Sequence, residues 1–236
     1  MKRIFSKEFY QASIKEFTKV KSIVLMSIFV ALMTVVGGIF SLNPLKIADR
    51  TVSLIFLFWP VIGILFGPIA GLFIAVLVDV LMYFIFPTGY PFYVGYTIAE
   101  MAVTFISGLF FYKSNVTILK IILFEFILDI GIHVCVESFF MNDIMAWNLG
   151  EAFKTYVIGG FIKNIVLWPI ETIILVLLLS ALLPVFHDLK LIDENINKKV
   201  LFFNKKADKE KKLNPKKENI FDTIFDTEED QSNDNF

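Results

Sequence analysis

Six apolar runs follow one another along this chain, over residues 22–40, 51–66, 69–86, 93–112, 117–141 and 152–184. Each is near the ~20 residues that an α-helix needs to cross ~30 Å of hydrocarbon, and the last two are long enough to tilt or overhang. Of 236 residues, 56% are hydrophobic and 19% are charged, and the charges bunch at the two ends. A soluble globule has no place for so much apolar surface. Turn-forming residues punctuate the runs: Ser41-Leu42-Asn43-Pro44, Gly67-Pro68, Pro87-Thr88-Gly89-Tyr90-Pro91, Lys113-Ser114-Asn115 and Asn142-Asp143. The second run is the shortest and carries Pro60 in its interior. The expected fold is an all-α integral membrane protein, a bundle of six transmembrane helices.

The basic residues set the orientation. Lys2, Arg3, Lys7, Lys15, Lys19 and Lys21 precede the first run, Lys113 and Lys120 flank the turn between runs four and five, and the C-terminal region is lysine-rich. The opposite side keeps only Lys46, Arg50 and Lys154, offset by Asp49, Asp143 and Glu151. Basic residues favour the cytoplasmic side, so both termini are expected in the cytoplasm of a multi-pass protein of the cell membrane. The first run lacks an Ala-x-Ala cleavage site and is expected to remain as helix one. Three regions follow. Residues 1–21 are expected as a cytoplasmic amphipathic, basic leader, with Phe5, Phe9, Ala12, Phe17 and Val20 on roughly one helical face. Residues 22–186 are the membrane domain, and 187–236 a charged tail whose composition predicts disorder. That tail is divided: 197–217 carry nine lysines, whereas 218–236 carry seven acidic groups and no basic one. The net charge of −1 says nothing about an acidic or basic partner; the expected surroundings are the lipid bilayer, with no nucleic acid. Cys135 is the single cysteine, so no internal disulfide can form.

Ionisable residues inside apolar runs are the informative ones, each costing roughly 2.5–3.5 kcal/mol at a helix centre. Run five carries Glu125, Asp129, His133 and Glu137 at a spacing of four, which draws a polar stripe along one helical face. Such a stripe must face the bundle interior or water. Lys163, Asn164 and Glu171 in run six, Glu100 in run four and Asp79 in run three join it. Together they suggest a polar pocket toward the outer half of the bundle, ringed by Tyr90, Tyr93, Tyr96 and Trp147. Three chemistries fit: a metal site of Asp129, His133 and Glu137, a proton relay through the same residues, or recognition of an organic ligand. In the last, carboxylates accept N–H donors, Lys163 or Arg50 meets a ligand carboxylate, and aromatics stack on a flat ring. A buried ion-pair network that only fixes helix packing, such as Glu137 with Lys163, is the plain structural alternative. Enzyme motifs are missing: no Gly-x-Ser-x-Gly, no His-Glu-x-x-His and no Walker-type glycine loop. A non-catalytic protein without cofactor or bound metal is expected, and any ATP-driven function would need an ATPase from another subunit.

The stretch "GILFGPIAGLFIAVLVDVLMYFIFPTGYPFYVGYTIAEMAVTFISGLFFYK", followed in run six by "FIKNIVLWPIE", resembles the substrate-binding (S) subunits of energy-coupling-factor (ECF) vitamin transporters, the folate-specific family in particular. The resemblance covers residues 22–184. It implies a six-helix bundle that binds a vitamin, folate or a reduced folate, with high affinity from outside. It further implies docking on a membrane-embedded coupling subunit that carries two ATPases. Helix one of such proteins offers a small-x-x-x-small surface to that subunit, and Ser27 and Ala31 in "SIFVA" match it. The chain departs from the folate pattern at Gly160, where an arginine is usual, and at the charges of run five. By ligand chemistry, a carboxylate such as Glu137 or Glu100 reads the amino-amide edge of a pterin, and Lys163 with Arg50 meets a glutamate tail. Tyr93, Tyr96, His133, Trp147 and Asn164 complete the expected binding set. Two alternatives remain in the sequence: the same scaffold for another vitamin, and a structural membrane protein of the cell-shape (MreD) type.

Overall fold

The computed structural model describes residues 6–42, 45–47, 50–87, 92–145 and 149–201, with side chains throughout except at 45–47 and 50–52. Trp147, Tyr90, the centre of the "FPTG" loop and the tail from 202 lie outside the described residues, as does the side chain of Arg50.

Among the described residues the regular structure is helical but for one short hairpin and one isolated bridge. Helix α1 (Lys7–Lys15) opens under the cap of Ser6, whose side chain accepts from the Phe9 N–H. Free backbone N–H groups of that first turn hold the Glu8 carboxyl below its ordinary pKa, with help from Ser6. After a 3₁₀ turn (Glu16–Thr18), helix α2 runs over Val20–Leu42. Strands β1 (Leu45–Ile47) and β2 (Arg50–Val52) pair antiparallel, Ile47 opposite Arg50. Three-residue strands carry too little alternation to stand out beside apolar runs of twenty. Helix α3 (Phe58–Ile85) follows a second 3₁₀ turn, α4 spans Val94–Phe111, and α7 spans Glu151–Asp188. Between them, α5 (Ile118–Phe126), a π-helical segment (Ile127–Val136) and α6 (Glu137–Met145) run on as one rod. Among the described residues, four helices are long and apolar enough to cross a membrane: Val20–Leu42, Leu54–Ile85, Val94–Phe111 and Glu151–Asp188.

Runs two and three of the sequence join within α3, and the join explains "LFGP". Gly67 has φ +78° and ψ −173°, a conformation open to glycine alone, and Pro68 then restarts the helix. A Cβ at Gly67 would lie 2.7 Å from the Tyr112 ring. Pro60 sits in the first turn of α3, where its missing N–H leaves no gap in the ladder. The break at Gly67 is closed from outside α3. Ser13 of α1, fully buried, donates to the Phe66 carbonyl (2.7 Å) and accepts from the N–H groups of Ile69 (3.0 Å) and Ala70 (3.1 Å). A side chain from another helix thus does the work of an N-cap. Glu16 anchors the same corner, bonded to Lys19, to Ser22 and to the Tyr112 hydroxyl.

Helices α3 and α4 form the centre of the bundle. Gly108 lies against the Gly67-Pro68 break, where a Cβ would come within 2.3 Å of the Pro68 nitrogen. Small residues of this kind allow the close contact that holds helices together in lipid. Ile62, Ile64, Phe66, Ala70, Ile74, Val103, Phe111 and Phe124 fill the space between. Beyond α7 the chain is pinned by Asn197, which pairs with both the N–H and the carbonyl of Val116, and Leu201 bridges to Thr117. Cys135 is exposed on the outer face of the π segment.

Candidate functional site

A pocket of about 380 Å³ opens between the C-terminal ends of α3 and α6 and the N-terminal end of α4. Its volume falls within the ~300–1,000 Å³ of small-molecule sites. Its wall is aromatic and thioether: Met82, Tyr83 and Phe86 from α3, Tyr93 and Tyr96 from α4, Met141 and Met145 from α6. Tyr93 packs edge-on against Tyr96 and Phe140, and its hydroxyl donates to Asp143 at 2.9 Å. One charged group, Asp79, reaches the wall, with one carboxylate oxygen held by the Thr97 hydroxyl. Asp79 and Met82 also border a smaller cavity of about 80 Å³, whose far wall holds Glu100 and Thr104. Two carboxylates therefore stand in succession from the aromatic pocket inward.

Behind Glu100 the polar residues continue. His133 and Glu137 pair at 2.6 Å, and the imidazole lies stacked on Trp59 with ring centroids 5.3 Å apart. The charges of His133, Glu137 and Asp79 all act on Glu100. Trp59 is buried beside them, and its indole N–H acts on the Glu100 carboxylate. Farther along the same rod the π turn changes the register. Glu125 and Asp129 meet Glu171 of α7, with one oxygen of each within 4.8 Å of the others. The stripe at a spacing of four is thus divided: its outer half faces Trp59 and Glu100, its inner half faces α7. A π-helix advances fewer degrees per residue than an α-helix, so four-residue spacing does not hold one face through Ile127–Val136.

The expected residues are distributed accordingly. Tyr93 and Tyr96 line the larger pocket and Glu100 the smaller one. His133 and Glu137 form the layer behind Glu100. Asn164 is buried on α7 and donates to the backbone carbonyl of Asp129 (2.8 Å), while the charge of Lys163 acts on Asp129 and Glu171. Neither is among the residues that line the two pockets. Arg50 belongs to β2, whose partner strand follows Ser41 of the pocket wall by a few residues. Ser27 and Ala31 are exposed on α2, on a side that also exposes Ile23, Val24, Ile28, Leu32 and Val35. The pocket residues Met82, Phe86, Phe92, Met141 and Met145 escape sequence reading, because methionine and phenylalanine in a membrane helix look the same whether they face lipid or ligand. The nearest signal is the clustering of Met141 and Met145 one turn apart.

Comparison with known proteins agrees with this architecture. The family model for the substrate-specific component of ECF transporters matches residues 21–179, more than half of the chain. The folate transporter FolT of Clostridium novyi (strain NT) is 29% identical over 114 residues, which make up 48% of this chain. The chain spans 63% of that relative's length. Among solved structures, FolT crystallised with folic acid superposes with a TM-score of 0.58, covering 65% of this chain and 88% of that one at 24% identity, a likeness of fold. The chain is a multi-pass membrane protein and belongs to the family of substrate-specific components of ECF transporters.

Proposed function

We propose that this chain captures folate or a reduced folate at the outer face of the membrane and hands it to an ECF coupling subunit powered by two ATP-binding subunits. The observation that carries this reading is the pair of carboxylates, Asp79 and Glu100, set one behind the other at the inner end of an aromatic pocket. A pterin presents an amino group and a ring N–H on one edge, and a carboxylate accepts both in parallel. Tyr93, Tyr96 and Phe86 offer flat faces for the pterin and benzoyl rings. Arg50, in the hairpin a few residues beyond Ser41, is the cation we assign to the glutamate tail, and Trp147, which follows α6 in the chain, is a further candidate for the ligand's rings. His133 and Glu137 support Glu100 from behind, and Lys163 and Asn164 hold α7 against the π segment. The relative named as a folate transporter and the folate-bound neighbour of the same fold lend support.

Capture and transport are separate tasks in this reading. The chain itself hydrolyses nothing; six spans, with α3 counted as two about Gly67, put both termini in the cytoplasm beside the ATPases. The exposed small residues Ser27 and Ala31 of α2 form the face that meets the coupling subunit, where a flat surface permits close helix approach. Membership of the transporter family leaves no room for the cell-shape alternative.

Ligand identification is the test. Protein purified in mild detergent is analysed by native mass spectrometry for a co-purifying ligand and titrated with folic acid by tryptophan fluorescence. One folate per chain is expected. A different vitamin in the pocket, with no response to micromolar folic acid, would sink the folate assignment while leaving the family intact.

A further inference from the structure

The three carboxylates on the far side of the π segment take no part in the pocket described above. Glu125, Asp129 and Glu171 are 1%, 4% and 9% exposed, and one oxygen of each converges within 4.8 Å. Glu125 Oε1 and Asp129 Oδ2 are enclosed without a hydrogen-bond partner. Such oxygens are rare in folded proteins unless an ion or water completes them. Asn164 and Glu171, two turns apart on α7, press the same face against this point, Asn164 through the Asp129 carbonyl.

We propose that Glu125, Asp129 and Glu171 hold one divalent hard cation, of the Mg²⁺, Mn²⁺ or Ca²⁺ class, between the α5–π rod and α7. The donor set is all oxygen, which selects these ions over zinc or copper. The spacing fits as well: ligands on opposite sides of a cation lie about 4.0–4.2 Å apart for Mg²⁺ and about 4.6–5.2 Å for Ca²⁺. The charges leave room for a cation. Three carboxylates meet the charge of His133, which acts on all three but is itself offset by its pair Glu137, and one ammonium, that of Lys163, which acts on Asp129 and Glu171. The remaining two negative charges match one divalent ion. In the bundle such an ion would tie α5 to α7, two elements that otherwise meet through side chains such as Trp168, whose indole donates to the Ile122 carbonyl.

Titration of the full-length protein in detergent with Mn²⁺, followed by electron paramagnetic resonance, tests the site. One tightly held Mn²⁺ per chain is expected, displaced by excess Ca²⁺ or Mg²⁺. Glu125→Gln, Asp129→Asn and Glu171→Gln should each weaken it by roughly tenfold or more. Mn²⁺ binding that is equal in wild type and all three variants would belong to other acidic groups, such as those of residues 218–236, and would overturn the proposal. So would wild type that holds no Mn²⁺ at millimolar concentration, its carboxyls being kept neutral by protons alone. Should the variants fail to fold, wild type still decides. A buried Mn²⁺ shut off from solvent enhances water-proton relaxation weakly, whereas strong enhancement would contradict the site.

Discussion

Glu100 and Ser13 illustrate how single residues divide binding from folding in this protein. Glu100 borders the inner cavity and feels Asp79, His133 and Glu137, so it is placed to read a ligand rather than to brace a helix. Glu100→Gln keeps the shape and removes the charge. It should weaken folic acid binding by about 1.5–3 kcal/mol, roughly ten- to over a hundredfold, with little change in melting temperature. Fluorescence titration beside a thermal melt separates the two effects. Ser13 has the opposite character, far from the pocket and bonded to three backbone groups at the Gly67 break. Ser13→Ala strands the N–H groups of Ile69 and Ala70 and should cost about 1–3 kcal/mol of stability. A thermal melt in detergent will register that loss, and ligand affinity measured below the transition should hold.

At the scale of elements, the break in α3 and the π turn are the two places where the helices depart from regular geometry. Gly67→Ala puts a Cβ into the Tyr112 ring and forces alanine to φ +78°, a strain of about 1–3 kcal/mol. The expected result is a lower yield of folded protein and a melting temperature well below wild type; an unchanged melt would mean that the break is not strained. The same two places mark how far sequence reading carries. Apolar runs and their Gly-Pro punctuation are enough to place the helices, because lipid leaves the backbone few other choices. The role of Ser13 was hidden, since its partners are backbone groups 53 to 57 residues away. The division of the Glu125–Glu137 stripe was hidden too: spacing of four reads as a single face only while the helix stays α. Glu100 stood out as a site candidate because a carboxylate is costly in lipid and so must face something else, and Tyr93 and Tyr96 stood out as aromatics beside the loop that could stack on a flat ring. Met82, Phe86 and Met141 carry no such cost and gave no sign.

For the whole molecule, the proposed function requires a ligand-binding end and a lateral docking face on α2. Ser27 and Ala31 are exposed and lie away from the pocket's lining residues. Ala31→Trp should therefore abolish folate uptake by vesicles containing the complete transporter and leave folate affinity of the isolated chain nearly unchanged. Loss of both would place Ala31 in the packing of the bundle instead. The central claim is that the pocket between α3, α4 and α6 is the folate site. Isothermal titration of folic acid into the purified wild type and into Met141→Trp, which fills that pocket with an indole, addresses it most directly. The account predicts one submicromolar site in wild type and none measurable in the variant, with both proteins folded. Equal folate affinity in the two proteins, or no heat from wild type at all, would contradict it.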